Sequence, residues 1–336
     1  MQGRADSIPR CGEIRGGEEY DRATISAIRL RSFIPLAVAI ATSAVSVASA
    51  EAAFPGRNGD IAYARPYKGG VEIFSSNPRT GKSERLTSKA ILDGDSMATG
   101  DPAFGPNGKR IAFANFQRTK GIGGRRSDIY VMRADGTHFR RLTRTQASES
   151  LPAFSADGRL VAYSLSGKTY VVKANGRGPR VELTAGLAHG GVGATFSPDG
   201  SKVAVTSSDG GDADIFVMNA DGSDPVNVTA ASDADDFSAD FSPDGSRIAF
   251  ISSRDDFAGD LFTMAADGSD VVAVAGGAGL EAASPAYSPD GKQIAYETRL
   301  NEGGAVRVAV VDASGGTPRA LPRTGGFSLE PSWGVK

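Results

Sequence analysis

Residues 241–250, Phe-Ser-Pro-Asp-Gly-Ser-Arg-Ile-Ala-Phe, hold the pattern that decides the fold. An aromatic residue leads into a tight turn, because proline presets φ, aspartate bonds back to the nearby backbone and glycine tolerates positive φ. The apolar segment Ile248-Ala249-Phe250 follows at once and has the residue types of a buried strand. The stretch therefore predicts two antiparallel strands joined by this turn.

The same pattern recurs along most of the chain. Its aromatic position returns after 42 to 50 residues, at Phe54, Phe104, Phe154, Phe196, Phe241, Tyr287 and Trp333. Each copy continues with a third strand, such as residues 214–218 (DIFVM), then a second turn, such as Asp221-Gly222, and a short fourth strand. Four short strands in each unit of about 45 residues are typical of a propeller blade.

The count of repeats predicts how the ends meet. There are seven copies of the aromatic first strand but six sets of the other three strands, since the copy at Trp333 stops at Lys336. The sequence therefore predicts an all-β, six-bladed propeller of four-stranded antiparallel blades over residues 51–336. The C-terminal strand is expected to complete the blade that begins near Gly59 and so close the ring.

The first fifty residues differ from the repeats. Arg29 and Arg31 precede an apolar run over residues 33–47, and Ala48-Ser49-Ala50 follows, which is typical of a signal peptide at residues 29–50. The alternative is an uncleaved membrane anchor, for which the run is short because a span needs about 20 residues. Residues 1–28 are interpreted as a non-native or disordered N-terminal extension. The expected location is outside the cytoplasm: periplasmic, wall-associated or extracellular, with no stable membrane span after cleavage.

The repeat pattern, Pro-x-Phe/Trp-Ser-Pro-Asp-Gly followed by Ile-Ala-Phe and Asp-Ile-Tyr-Val-Met, resembles the WD40-like (PD40) repeats of TolB-type propellers. The segment 53–59 (AFPGRNG) also resembles the start of exported actinobacterial members of this group. The resemblance implies a propeller fold, whereas function does not follow from it, because propellers host many activities. TolB itself carries an α/β domain before its propeller. Here the predicted cleavage site directly precedes the first repeat, so TolB's role in the cell envelope does not transfer directly.

Catalytic motifs are scarce in this sequence. After the predicted cleavage site there is no G-x-S-x-G motif, the two histidines are His138 and His189, and the one cysteine, Cys11, lies upstream. The predicted function is a non-enzymatic scaffold that binds a protein or cell-wall ligand. The alternative is a metal-assisted lactonase or lyase working at the propeller mouth. No cofactor is expected, although an Asp-rich loop at residues 209–214 keeps Ca²⁺ binding open.

Charge distribution indicates where a ligand would bind. The net charge of −2 argues against a broad surface that binds nucleic acid. Separately, the chain is expected to be a monomer. The segments just before the first strands collect acids, which would focus negative potential at one mouth of the channel and attract a cationic partner. The predicted site consists of Asp101, Glu149, His189, Asp235, Asp236, Glu281 and Glu330. The alternative is that these are ordinary acidic loops that point outward.

Export gives a direct test of the N-terminal assignment. If residues 29–50 are a cleaved signal, mature protein recovered from outside the cytoplasm should begin at Glu51 or within about three residues of it. Mass spectrometry of the intact protein and of its N-terminal peptide would measure this. Recovery of the full-length chain from the cytoplasm would contradict the assignment.

Overall fold

The computed structural model describes residues 53–88, 96–118, 125–254, 259–277, 281–299, 305–322, 324 and 329–336. The predicted extension at 1–28, the signal peptide at 29–50 and the expected mature start at Glu51 lie outside these residues and stay predictions. In the described stretches, no helix is long and apolar enough to cross a membrane.

The described secondary structure is β throughout, in units of four strands. The first eight strands are β1 (Asn58–Tyr67), β2 (Gly70–Ser76), β3 (Ser83–Arg85), β4 (Ser96–Phe104), β5 (Arg110–Arg118), β6 (Arg125–Arg133), β7 (Arg140–Arg141) and β8 (Glu149–Phe154). The next eight are β9 (Leu160–Leu165), β10 (Lys168–Lys173), β11 (Val181–Glu182), β12 (Val192–Phe196), β13 (Lys202–Ser207), β14 (Asp214–Asn219), β15 (Val226–Asn227) and β16 (Asp236–Phe241). The last eight are β17 (Arg247–Ser252), β18 (Asp260–Ala265), β19 (Val272–Ala275), β20 (Ala282–Tyr287), β21 (Gln293–Thr298), β22 (Arg307–Asp312), β23 (Arg319–Ala320) and β24 (Leu329–Val335).

Strand pairing gives a propeller of four-stranded antiparallel blades. Four separate sheets consist of β8–β11, β12–β15, β16–β19 and β20–β23, each with its strands in chain order. The pairing within each is antiparallel throughout, as in Arg247↔Ala265 between β17 and β18. The all-β class and the four-strand blade predicted from the repeats are therefore confirmed.

Among the described residues four sheets are separate blades, fewer than the six that the repeats predict. The remaining strands form one eight-stranded sheet, in the order β24-β1-β2-β4-β5-β6-β7 with β3 paired to β2. The reason is a single parallel pair, Val71↔Ala98, that joins β2 to β4. Within this sheet, β24 pairs antiparallel with β1, as in Ile61↔Trp333.

The tight turns form as the sequence predicts. In the turn after β16, Ser242 Oγ donates to Asp244 Oδ1 at 2.6 Å, and the same Asp244 oxygen accepts the Ser246 N–H at 3.0 Å. Gly245 has a φ of 72° and donates its N–H to the Ser242 carbonyl at 2.8 Å. Hydroxyl and carboxylate together satisfy the backbone of the turn, which explains why serine and aspartate recur at these positions.

Antiparallel order places the loops of every blade at two opposite ends. The turns between first and second strands and between third and fourth strands share one end, here called the turn end. The loops between second and third strands and the connections into each first strand share the other, here called the connection end. The predicted site residues belong to the connection end.

The apolar core lies between neighbouring blades. One cluster joins Ala204 and Ile215 from β13 and β14 to Phe241 and Phe250 from β16 and β17. The second strands are buried on both faces, as shown by Ile248, Ala249 and Phe250, each 0 % exposed. Because each core is shared by two sheets, a blade depends on its neighbour for burial.

A substitution at Trp333 tests whether the last strand contributes to the stability of the fold. Its ring is buried with Ile61 and Tyr63 of β1, so Trp333→Ala should lower the free energy of unfolding by about 3–5 kcal/mol. Val226→Ala, at a site 58 % exposed, is the matched control and should change it by less than about 0.5 kcal/mol. Urea unfolding followed by circular dichroism measures both. Equal stability of the two variants would show that β24 does not contribute to the core.

Candidate functional site

Each inner strand carries a β-bulge at the residue three positions before its aromatic. Bulges interrupt the pairing of first and second strands, for example between Phe237 and Asp240. The bulged residues with positive φ are Asp101, Leu151, Gly193, Ser238, Ser284 and Glu330. Only one of the six is glycine, so the surrounding structure must hold the other five in a conformation that L-residues rarely adopt.

The bulge turns a backbone N–H toward the preceding blade, where a side chain accepts it. Gly193 donates its N–H to Ser164 Oγ at 3.1 Å, and Ser238 donates to Thr206 Oγ1 at 3.3 Å. Ser164 and Thr206 occupy the same position of their second strands, β9 and β13. A hydroxyl at this position therefore satisfies the next blade's bulge and links the two sheets.

The eight-stranded sheet lacks that hydroxyl at both of its equivalent positions and uses a carboxylate instead. The equivalent second-strand positions hold Ala64 and Ala114. In their place, Glu330 Oε2 accepts the Asp101 N–H at 2.6 Å, and Asp101 Oδ2 accepts the Leu151 N–H at 2.8 Å. Two of the seven predicted site residues, Asp101 and Glu330, are thus brought into contact, and each carries a bond between inner strands.

A third carboxylate, which the sequence analysis missed, completes this group. Glu297 of β21 occupies the hydroxyl position of its blade, and its Oε2 accepts the Glu330 N–H at 3.2 Å. We call Asp101, Glu297 and Glu330 the carboxyl cluster. The signal that could have found Glu297 is its alignment with Ser164 and Thr206 in an otherwise apolar strand.

Burial favours the protonated form of two acids in the carboxyl cluster, Glu297 and Glu330. Burial raises the pKa of Glu297 to about 7. Burial, followed by the charge of Asp101, raises the pKa of Glu330 well above its usual range. Both shifts favour the neutral carboxyl over the carboxylate in these two side chains. Glu297 and Glu330 are only half-buried, whereas Asp101 is buried.

Glu149 lies apart from the cluster, buried between two blades. Its carboxylate accepts a hydrogen bond from Thr143 Oγ1, and Thr143 Oγ1 in turn accepts the Ile129 N–H at 2.9 Å. Nearby, Asp128 is paired with Arg141 at 2.7 Å. Burial raises the pKa of Glu149, and the bond from Thr143 opposes this increase. These contacts place Glu149 in the framework rather than on a surface.

Asp236 holds the equivalent position two blades further on and is also fully buried. Arg254 Nη2 lies 3.0 Å from each carboxylate oxygen of Asp236. The guanidinium of Arg254 also lies over the rings of Phe250 and Phe262, at 5.3 and 5.0 Å from their centroids. Burial raises the pKa of Asp236, while Ser252 and Arg254 oppose the increase.

Asp235 and Glu281 are half-buried at the connection end. Asp235 Oδ1 accepts the Ala213 N–H at 3.1 Å, and Glu281 Oε2 accepts from Arg299 Nε at 2.8 Å. Each keeps part of its carboxylate accessible to solvent, since the Glu281 side chain is 28 % exposed. Of the predicted acids, these two therefore present part of their carboxylates to solvent.

His189 is an exposed residue in the connection between β11 and β12. Its Nδ1 lies 3.0 Å from Asp209 Oδ1, and its backbone N–H donates to the same oxygen at 2.6 Å. Asp209 also accepts the Ala188 N–H at 2.8 Å, so the aspartate organises the loop that carries the histidine. His138, the other histidine, is exposed in a turn at the opposite end and bonds to Thr137 at 2.8 Å.

No metal site emerges from the described residues. Among them, no three His, Cys, Asp or Glu side chains come together as a set of metal ligands. In the Asp-rich loop, Asp209 binds backbone N–H groups and Asp214 accepts from Thr229 and from Asn227, at 2.8 and 2.9 Å. Calcium binding there stays a prediction.

Comparison with known proteins agrees with the propeller assignment. The family described as "TolB beta propeller domain" (PD40) matches residues 180–335. The fold resembles TolB from Acinetobacter baumannii, with 21% identity and a TM-score of 0.68 over 83% of this chain and 67% of that one. It also resembles a putative TolB from Agrobacterium tumefaciens, with 21% identity and a TM-score of 0.58 over 81% of this chain and 91% of that one.

Other solved structures with this fold have different functions. A chain of a nidogen–laminin complex matches at 13% identity and a TM-score of 0.62, over 82% of this chain and 98% of that one. A chain described with two prolyl endopeptidases matches at 15% identity and a TM-score of 0.52, over 90% of this chain and 48% of that one. At these identities the likeness shows the fold alone.

The raised pKa of Glu297 predicts a pH-dependent stability. Its pKa is about 7 when folded and about 4.5 ordinarily, so over that interval the folded chain binds more protons than the unfolded chain. This carboxyl's contribution is fully present below pH 4.5 and is lost as the pH rises through 7. Glu297→Gln should therefore gain stability relative to wild type, on the order of 1–3 kcal/mol, between pH 5 and pH 8.

Urea unfolding of wild type and variant at both pH values measures this difference. The control is Asp312→Asn on the neighbouring strand β22, where the aspartate is exposed, and its effect should be the same at pH 5 and pH 8. A Glu297→Gln effect that does not change with pH would show that Glu297 titrates normally.

Proposed function

We propose that this chain is an exported, non-enzymatic propeller that acts as a binding scaffold outside the cytoplasm. Its partner would be a protein or a cell-wall ligand, cationic where it meets the connection end. The proposal combines the TolB-like fold with the acids at that end. Export, cell-envelope location and the absence of catalysis are parts of the proposal.

A ring of six blades closed by the C-terminal strand belongs to the same proposal. The eight-stranded sheet divides at the single pair Val71↔Ala98 into two antiparallel sets of four, which would be two blades. Contacts between first strands run in the order β4, β8, β12, β16, β20, β24 and back to β4. The close fit of β24 adds support, because a Cβ on Gly334 would lie 3.0 Å from the Phe104 ring.

The observation that supports the binding role is that some of the predicted acids are buried, whereas others are partly exposed. Asp101, Glu149 and Asp236 are buried. The bonds of Asp101 and Glu149 join blades, whereas Asp236 pairs with Arg254 of its own blade. Asp235 and Glu281 are partly exposed at the same end and leave negative charge toward solvent. Such a face favours a basic partner surface, which would be attracted over about 8 Å at physiological ionic strength.

The exposed histidines support binding over hydrolysis. His138 lies at the turn end and His189 at the connection end, so the two imidazoles are on opposite ends of the blades. A propeller of this kind supplies a rigid frame on which loops at one end can contact a partner. The absence of enzymatic activity stays a proposal, and assays with lactone and ester substrates would test it.

Site-specific crosslinking tests the binding face. The single cysteine, Cys11, precedes the repeats, so an introduced cysteine can be labelled alone after cleavage. Ala231→Cys places a photo-crosslinker on an exposed residue of the connection end, and Lys292→Cys places one on an exposed residue of the turn end. In envelope extract, partners should be captured by the Ala231→Cys protein and not by the Lys292→Cys protein.

The acids can be tested in the same background. Asp235→Asn with Glu281→Gln should reduce the captured fraction severalfold at low salt and make it less sensitive to salt. Asp244→Asn with Asp290→Asn, which removes the same charge from turns at the opposite end, is the control. Capture that is equal from both ends, or that is unchanged by the acid variant, would contradict the proposed binding face.

A further inference from the structure

The turn end carries a strongly basic groove between the β4–β7 unit and the β8–β11 unit. This groove, of about 610 Å³, is lined by Arg110, Arg140, Arg159 and Lys173, with Asp157 as the one acid. Among the described residues, the ion pair at this groove joins Arg159 to Asp157 at 3.7 Å. Arg140, Arg159 and Lys173 are exposed, so several positive charges of the groove remain open to a ligand on a chain whose net charge is −2.

Backbone carbonyls hold the two central arginines in place. Arg110 Nη2 donates to the Gly158 carbonyl at 2.7 Å, and Arg140 Nη2 donates to the Ala174 carbonyl at 2.9 Å. The Arg110 guanidinium also lies 4.8 Å from the centroid of the Phe154 ring. Each bond uses one of five N–H donors, so both guanidinium groups are oriented while most of their donors remain for an anion.

The two arginines are close enough for their charges to interact. Burial, and after it the charge of Arg140, lower the pKa of Arg110. Arg110 stays charged at neutral pH despite this shift, because a guanidinium ordinarily titrates far above that range. A pair of like charges held together by the fold is relieved when an anion binds between them.

An adjoining groove extends the basic surface. It has a volume of about 890 Å³, shares Arg110 and Arg140 with the first, and adds Lys109, Arg133 and His138. Its acid, Asp135, is already engaged, since its Oδ1 accepts from the Thr137 hydroxyl at 2.6 Å. The basic residues thus extend along two lobes that meet at the arginine pair.

The repeats themselves provide a comparison. The positions of Arg110, Arg140, Arg159 and Lys173 recur in the following grooves, because every blade uses the same strand register. The next groove holds Leu160, Val181, Ser201 and Asn219, and the one after holds Lys202, Val226, Ser246 and Ala265. All four positions are basic in the first groove and at most one is basic in these two. The fold does not require the charge.

We propose that this two-lobed groove binds a linear chain of phosphate groups. Arginine forks match phosphate oxygens in pairs, and charges spread over two lobes fit an extended anion better than a single ion. A single-stranded nucleic acid would need exposed aromatic rings on which its bases could stack. The aromatic residue that lines the groove, Phe139, is instead half-buried against Phe113, at a centroid distance of 6.1 Å. The site goes beyond the proposed function, since it lies at the opposite end and selects the opposite charge.

The test measures binding of two probes to the full chain by fluorescence anisotropy. The probes are labelled inorganic polyphosphate and labelled poly(glycerol phosphate), which distinguish a phosphoanhydride chain from a phosphodiester chain. Arg140→Gln with Lys173→Gln should weaken binding of at least one probe roughly tenfold or more. It should also reduce the slope of log affinity against log salt by about 1.5, since each lost phosphate contact contributes about 0.7–0.9.

Two further variants keep the test specific. Lys202→Gln with Lys292→Gln removes the same charge from exposed sites outside the groove and should change binding less than about twofold. Arg110→Lys keeps the charge but loses the fork, and it should weaken binding severalfold while circular dichroism confirms the fold.

Three outcomes would overturn the proposal. One is that neither probe binds to the wild-type chain. Another is that the two double variants weaken binding equally, which would indicate attraction to net charge. The third is that a single-stranded oligonucleotide of equal charge binds more tightly than both probes, because the groove would then recognise bases.

Discussion

A backbone N–H at a positive φ in each inner strand is the constraint on which the ring depends. The bulge that produces it cannot satisfy this donor within its own blade, and a buried unpaired donor is costly. At five of the six positions a side chain from the preceding repeat accepts this N–H, as Thr206 does for Ser238 and Glu330 does for Asp101. The Thr206–Ser238 bond joins neighbouring sheets, and the Glu330–Asp101 bond joins two inner strands of the eight-stranded sheet. A change at one of these acceptors is a change to an interface between blades.

This constraint explains where sequence reasoning succeeds and where it does not. The turn residues are local signals, because Ser242 and Asp244 bond within the turn that they form, and so the strands and the blade were predictable. The role of Asp101 was not predictable. The neighbouring strand has Ala114 where other blades have a hydroxyl, and Asp101 accepts the N–H in place of that hydroxyl. A pattern of acids before each first strand looked like one charged mouth. In the structure the same pattern contains framework acids and exposed acids, and the two differ only in what surrounds them.

The number of blades is a second feature that the sequence alone does not determine. Counting repeats gives units of sequence, whereas sheets are defined by hydrogen bonds between strands. One parallel pair between β2 and β4 is enough to merge two units into one sheet. The net charge of −2 does not reveal the basic groove at the turn end or the partly exposed acids at the connection end, because both arise from the antiparallel order that sorts loops between ends.

The position of the single tryptophan gives the chain a built-in optical probe. Trp333 is the only tryptophan of the sequence, and it lies in the last strand, 5 % exposed and packed against β1. Its emission spectrum therefore reports the environment of that strand, while the peptide signal reports all the sheets together. If β24 detaches before the blades unfold, the emission maximum shifts to longer wavelength before the peptide signal changes. Fluorescence can in this way follow the pairing of β24 with β1 in the unmodified protein, without a label.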